Sequence, residues 1–202
     1  MSKIIGLTGQ TGSGKGAVSS IFSEMDAQVI DCDLIAHRVT EKGSETLEKL
    51  VSAFTSDILK DDGSLDRSAL ASRAFADPQS VRLLNSITHP AIIEHIRRDI
   101  AALKSDGADC IVLDAPTLIE SGAADMCDVI IAVVADEDIR LNRIMQRDGI
   151  DISAARRRML AQPKPEFYTD NSDYTIYNNG DLISLKNQVM SVFNDIIKEN
   201  CE

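Results

Sequence analysis

The stretch GLTGQTGSGKGA, Gly6 to Ala17, carries the residue types that hold a polyphosphate. Gly9, Gly12 and Gly14 let the backbone turn so that several N–H groups converge on phosphate oxygens, and Lys15 is placed to bridge the terminal phosphates. Phosphate-binding loops read G-x-x-x-x-G-K and then Ser or Thr, whose hydroxyl is a magnesium ligand. Gly16 stands at the hydroxyl position here, and Ala17 follows. Magnesium ions keep several waters among their oxygen ligands, so another water can replace one protein hydroxyl at some cost in affinity and orientation. Asp114, closing the run CIVLD, and Asp31 and Asp33, after another predicted strand, are candidate compensating carboxylates. The expectation is a metal site weakened but not abolished.

A second stretch, VIDCDLIAHRV (Val29 to Val39), places Asp31 and Asp33 directly after a short apolar run. Two carboxylates at the C-terminal edge of a parallel sheet lie where open α/β folds bind ligands. On position alone, capping of the next helix explains them equally well. His37 reads either as an acceptor-substrate contact or as a structural hydrogen-bonding group. His89, before Pro90, reads as a cap or orienting residue at a helix start, and His95 has no functional assignment.

Cations gather in one place. Arg140, Arg143, Arg147, Arg156, Arg157 and Arg158 are half of the twelve arginines, packed into nineteen positions of a chain whose net charge is -11. Arg140, Arg143 and Arg147 share one helical face. A solvated basic face is the plain reading; a lid closing over polyphosphate, led by Arg143 and Arg147, better explains clustering against the overall charge. In DNSDYTIYNNG, Asn178, Asn179 and Gly180 offer amides and backbone groups that could read an adenine edge, or form a simple Asn-Gly turn. Phe75, Phe167 and Tyr168 read as packing residues first.

The elements that must hold these groups alternate. Short apolar runs at Lys3–Thr8, Gln28–Ile30, Cys110–Leu113, Val129–Val134 and Tyr174–Tyr177 predict five strands separated by helical stretches, an α/β chain with a parallel sheet. Val18, Ile21, Phe22 and Met25 predict the helix that receives the loop. The span from Ala36 to Lys104 reads as a helical insertion, with turns at Asp61–Ser64 and Ala76–Pro78 and an apolar stripe of Ile92, Ile93, Ile96, Ile100 and Leu103. Leu185, Val189, Val192, Phe193, Ile196 and Ile197 predict a last helix packed on the sheet.

The bulk composition narrows the setting. A chain of 202 residues with 44% hydrophobic content can bury a full core as one domain. Its acidity argues against nucleic acid or an anionic membrane as partner. Cys32, Cys110, Cys127 and Cys201 show no metal-site or C-x-x-C spacing and read as buried or idle thiols in a reducing compartment. With no span-length apolar stretch and no signal-like start, the expected location is the cytoplasm.

Taken together, GLTGQTGSGKG, VIDCDLIAHRV, LDRSALASRAFADP (65–78), LLNSITHPAI (83–92), LDAPTLIE (113–120), MQRDG (145–149) and YNNG (177–180) make nearly the whole chain resemble the dephospho-coenzyme A kinase family. That resemblance implies a P-loop kinase fold with a helical substrate-binding insertion at about 36–104 and an arginine-rich lid at about 139–169. It implies ATP as donor, Mg²⁺, and phosphorylation of the ribose 3′-hydroxyl of dephospho-coenzyme A, the last step of coenzyme A biosynthesis. Gly12, Ser13, Gly14, Lys15, Gly16, Ala17, Asn178 and Gly180 would bind the nucleotide, and Asp114 and Asp31 the metal. Thr8, Asp33, His37, His89 and Pro116 would serve the acceptor, with Asp33 the candidate base beside the reacting hydroxyl. Lys15, Arg143 and Arg147 would stabilise the transferring phosphate. The family loop ordinarily continues Gly-Lys-Ser-Thr, and its Pro-Leu-Leu reads Pro116-Thr117-Leu118 here. Two other classes stay open: a different small-molecule kinase on the same scaffold, and a nucleotide- or coenzyme-binding relative with weakened catalysis.

Overall fold

The computed structural model describes residues 2–198, so Cys201 lies outside the described residues. The sheet has strand order β2-β3-β1-β4-β5, built from β1 (Lys3–Gly9), β2 (Gln28–Asp31), β3 (Cys110–Asp114), β4 (Val129–Val134) and β5 (Tyr174–Tyr177). The expected five strands therefore form one sheet. β1 is central and pairs in parallel with β3 and β4, with Leu7 opposite both Asp114 and Ile131, and β4 pairs in parallel with β5. β4 is apolar throughout, and β1 is apolar in its buried stretch apart from Thr8, because helices cover a parallel sheet on both faces.

The chain divides into two compact units, one of residues 1–30 and 103–202 and one of residues 31–102. In the first, α1 (Lys15–Glu24) and α9 (Leu182–Lys198) pack against the sheet through Val18, Phe22, Leu185, Val189 and Ile196. Phe22 meets Phe193 edge to face with centroids 5.8 Å apart. A smaller cluster of Leu141, Ile144 and Ala155 joins α6 (Glu137–Asp148) to α7 (Ile152–Leu160), and α8 (Pro165–Thr169) follows. Tyr168 is buried and Phe167 meets it edge to face, whereas Phe75 is exposed.

The second unit holds α2 (Cys32–Arg38), α3 (Glu45–Phe54), α4 (Arg67–Ala74) and most of α5 (Pro78–Ser105) around Leu47, Leu50, Phe54, Ile58, Leu65 and Leu70. Ser44 and Asp66 cap α3 and α4 through their side chains. The turn at Asp61–Ser64 closes a small antiparallel bridge between Leu59 and Leu65. Of the predicted stripe on α5, Ile96 and Ile100 are buried.

One expectation is corrected. His89 and Pro90 do not begin a helix; they lie inside α5, which starts at Pro78 with the Asp77 side chain accepting from the Gln79 and Ser80 amides. An X-Pro pair ordinarily breaks a helix because proline lacks the N–H that would bond four residues back. Here Ser86, whose carbonyl loses that partner, and Pro90 are both exposed, so water can satisfy the carbonyl.

Candidate active site

The loop between β1 and α1 takes the shape its glycines allow. Gly14 caps α1 in the left-handed region at φ 92°, and a Cβ there would lie 2.0 Å from the Asn178 amide nitrogen. Gly12, at φ 78°, would strike the Arg140 backbone at 2.8 Å. Both positions are closed to any other residue, and the loop amides gather at the N-terminal end of α1. Gly16 differs. A Cβ at Gly16 would meet nothing within 4 Å, so packing does not require a glycine there.

Lys15 forms an ion pair with Asp114, their side chains only 16% and 12% exposed. The strand register explains the meeting, because Asp114 lies opposite Leu7 and Lys15 opens the helix that follows β1. Thr8 is fully buried and donates its hydroxyl to the Pro116 carbonyl at 3.3 Å, which fixes the segment after β3 against the strand that delivers the loop. Among the described residues, no group of three or more His, Cys, Asp or Glu side chains is arranged to hold a metal ion. A single carboxylate such as Asp114 suits magnesium when substrate phosphates and water complete the shell, and fits a site lacking the hydroxyl at position 16.

The three arginines on one face of α6 all reach the loop, with different chemistry. Arg140, 3% exposed, donates from Nε to the Thr11 carbonyl at 3.0 Å and from Nη1 to Gln10 Oε1 at 2.5 Å. Burial lowers its pKa. It is a scaffold residue rather than a solvated cation. Arg143 donates from Nη1 to the Ser13 and Gly12 carbonyls at 3.2 and 3.4 Å, and from Nη2 to Asn178 Oδ1 at 3.4 Å. Arg147, 60% exposed, pairs with Asp148 and reaches Thr11 Oγ1 at 3.4 Å. Arg140 and Arg143 thus engage the Thr11, Gly12 and Ser13 carbonyls, which holds the loop backbone in its turned shape.

Asn178 is a loop support. Its side-chain nitrogen donates to the Ser13 carbonyl at 2.8 Å, while its oxygen accepts from Arg143. Asn179 exchanges two 2.8 Å bonds with Asp136, accepting from its amide and donating to its carboxylate, so the end of β5 is tied to the start of α6. Both amides are engaged, and Gly180 is exposed. Ser13 Oγ and Arg140 Nη2 are buried without a hydrogen-bond partner. Each such atom costs about 1–3 kcal/mol, a sign that the loop's shape is not set by stability alone.

Within the second unit, Asp31 is the N-cap of α2 and accepts from the Leu34 amide at 3.0 Å, as its position allowed. Asp33 lies in the first turn of α2 and is exposed, and so is His37, in its last turn. The His37 carbonyl accepts from Arg67 Nη2 at 3.4 Å. His89 is half-buried, and burial lowers its pKa.

Several participants carried no readable signal. Gln10 donates to the Pro163 carbonyl at 2.7 Å, and the Thr11 amide donates to Gln162 Oε1 at 2.8 Å. These two bonds join the loop to the turn between α7 and α8. A cleft of about 1010 Å³ beside them is lined by Val134, Met159, Leu160 and Tyr177 together with Gln10 and Gln162. Gln10 and Gln162 lie 152 positions apart and share no periodicity that would pair them.

Comparison with known proteins gives a consistent answer. The family model described as dephospho-CoA kinase matches residues 3–184. A dephospho-CoA kinase of Syntrophotalea carbinolica is 40% identical over 189 residues, spanning 94% of this chain and 90% of that protein. A dephospho-CoA kinase of Corynebacterium glutamicum is 38% identical over 192 residues, spanning 95% of this chain and 98% of that protein. Among solved structures, dephospho-CoA kinase from Campylobacter jejuni superposes with a TM-score of 0.72 at 27% identity, covering 99% of this chain and 100% of that one. A shikimate kinase from Acinetobacter baumannii, at 11% identity and a TM-score of 0.58, shares the fold.

Proposed function

The chain belongs to the dephospho-CoA kinase family, and from that premise we propose that it transfers the γ-phosphoryl group of ATP to the ribose 3′-hydroxyl of dephospho-coenzyme A, giving coenzyme A and ADP. The observation that carries this reading is that one family match spans the loop, the 31–102 unit and the α6–α8 segment together. Phosphoryl transfer demands alignment and charge stabilisation more than covalent chemistry, and these residues supply both.

Loop amides and the start of α1 hold the donor's phosphates. Lys15 exchanges its Asp114 partner for phosphate oxygens, which frees the Asp114 carboxylate. A bound Mg²⁺ would neutralise charge on the β- and γ-oxygens. Asp114 would hold it, with Asp31 a second candidate. Arg143 keeps the loop carbonyls turned back, and Arg147 faces the transferring group. Asp33 accepts a hydrogen bond from the acceptor hydroxyl; because the proton leaves late in a loose transition state, orienting that hydroxyl is its main task. His37, His89 and Pro116 would complete the acceptor's surroundings. The α6–α8 segment acts as a lid, with the Gln162–Pro163 turn coupled to the loop by its two hydrogen bonds. Among the described residues no helix is long and apolar enough to cross a membrane, and the acidic surface favours small-molecule over nucleic-acid partners.

The test is an assay of the purified protein with ATP, Mg²⁺ and dephospho-coenzyme A, other ribose-bearing acceptors as controls, and the phosphorylated position assigned on the product. Absence of a 3′-phosphorylated product defeats the proposal. One observation favours a second reading: since no packing constraint explains Gly16, its missing hydroxyl is a chemical change, and a nucleotide-binding relative with slow turnover would tolerate it. ATP uptake without product would identify that case.

A further inference from the structure

Asp148 sits in the last turn of α6, where a negative charge meets the negative end of the helix dipole. An acidic residue there needs compensation, and two guanidinium groups provide it. Arg147 binds the carboxylate side-on, Nε to Oδ1 at 2.8 Å and Nη2 to Oδ2 at 2.9 Å, and Arg158 of α7 donates to Oδ2 as well. The same Nη2 of Arg147 reaches Thr11 Oγ1 on the loop at 3.4 Å.

We propose that Asp148 is a positioning residue for phosphoryl transfer, holding the Arg147 guanidinium against the phosphate-binding loop in the orientation that meets the donor's phosphates. This rests on the kinase reading above. Arg147 is largely exposed, and an unrestrained arginine would lose rotamer freedom each time it engaged an anion. A bidentate partner removes that loss beforehand. The side-on pairing uses the Nε–Nη2 edge and leaves Nη1 without a hydrogen-bond partner among the described residues. One carboxylate between two guanidiniums leaves a surplus positive charge, so the arrangement orients the cation without cancelling it. The hydrogen bond from Arg147, then the charges of Arg147 and Arg158, hold the Asp148 carboxyl below the usual carboxylate range, so it stays ionised at neutral pH. Arg158 brings α7 into the same network, so α6 and α7 converge on one carboxylate.

The test is a double-mutant cycle of Asp148→Asn and Arg147→Ala, read both as kcat/KM for ATP and as ATP affinity by calorimetry. Alone, Asp148→Asn is expected to lower kcat/KM by about tenfold or more and to weaken ATP binding measurably; in the Arg147→Ala background it should change either by less than about twofold. A full, multiplicative loss in both backgrounds, or no loss in the wild-type background, overturns the proposal. If Asp148→Asn does not fold, Asp148→Glu, which keeps the charge and displaces the guanidinium, runs the same cycle with the same criteria. The binding arm needs no acceptor: a protein that takes up ATP and phosphorylates nothing refutes the substrate assignment while the cycle still decides the role of Asp148.

Discussion

Lys15 and Asp114 are ion-paired with both side chains mostly buried, one from the start of α1 and the other from the end of β3. In the proposed mechanism the lysine must leave the aspartate for phosphate. Removing one member of a buried pair strands the other charge, a cost of about 3–5 kcal/mol where burial is complete and less at this residual exposure. Lys15→Met should therefore lower Tm as well as cut kcat by roughly 10²-fold or more, and Asp114→Asn should raise the Mg²⁺ concentration needed for half-maximal turnover. Thermal melts and magnesium titrations check both. An Asp114→Asn enzyme with an unchanged magnesium requirement would remove Asp114 from the metal.

Gly16 offers a gain-of-function test. Its Cβ position faces open space and its backbone is ordinary helix, so Gly16→Ser should fold without strain. Replacing glycine in a helix also favours stability by up to about 1 kcal/mol. The added hydroxyl should lower the magnesium requirement several-fold, read as turnover against Mg²⁺ at saturating ATP. Identical magnesium curves for the two proteins would show that position 16 has no part in holding the metal.

Sequence pattern and structure agree where chemistry is local. β1, the loop and α1 are contiguous, and an apolar run, three glycines and a helical stripe are enough to specify them. The arginine face of α6 was equally readable, because i, i+3, i+7 spacing is a property of one helix. What those arginines touch was not. Arg140 looked like a phosphate-seeking cation and is buried against Thr11 and Gln10, and the Asn178 amide supports Ser13 rather than standing open to a base. These side-chain bonds, to backbone at Thr11 and Ser13 and to a side chain at Gln10, span more than a hundred residues, and no period or spacing encodes them. Pro90 failed as a helix boundary for a related reason: its tolerance depends on which face of α5 meets water.

Asp33 separates binding from chemistry. It lies in the first turn of α2, next to the cap provided by Asp31, so Asp33→Asn leaves the capping bond intact. Turnover should fall by about 10²–10⁴-fold while ATP affinity by calorimetry stays within about twofold. The capping role instead predicts that Asp31→Ala lowers Tm, by about 1 kcal/mol of stability, whatever it does to metal affinity. Near-normal turnover of the Asp33→Asn protein would exclude this carboxylate from the reaction.

Two thiols set an alkaline limit on stability. Burial, reinforced by Asp109, pushes the Cys110 thiol up to about 11, and burial, reinforced by Asp128, pushes Cys127 up to about 12, against an ordinary value of 9.0. Below 9.0 both thiols are neutral whether the chain is folded or not, so they leave stability unchanged. Above it the unfolded chain ionises first, and stability is lost progressively until the folded thiols also titrate. Tm should therefore fall between pH 9 and 11 more steeply in the wild type than in a Cys110→Ala/Cys127→Ala protein, whose absolute Tm is lower from lost packing. Lysines and tyrosines titrate alike in the two proteins, so the difference in slope isolates the thiols. Parallel slopes would mean that these two sulfurs ionise in the folded protein as readily as in water.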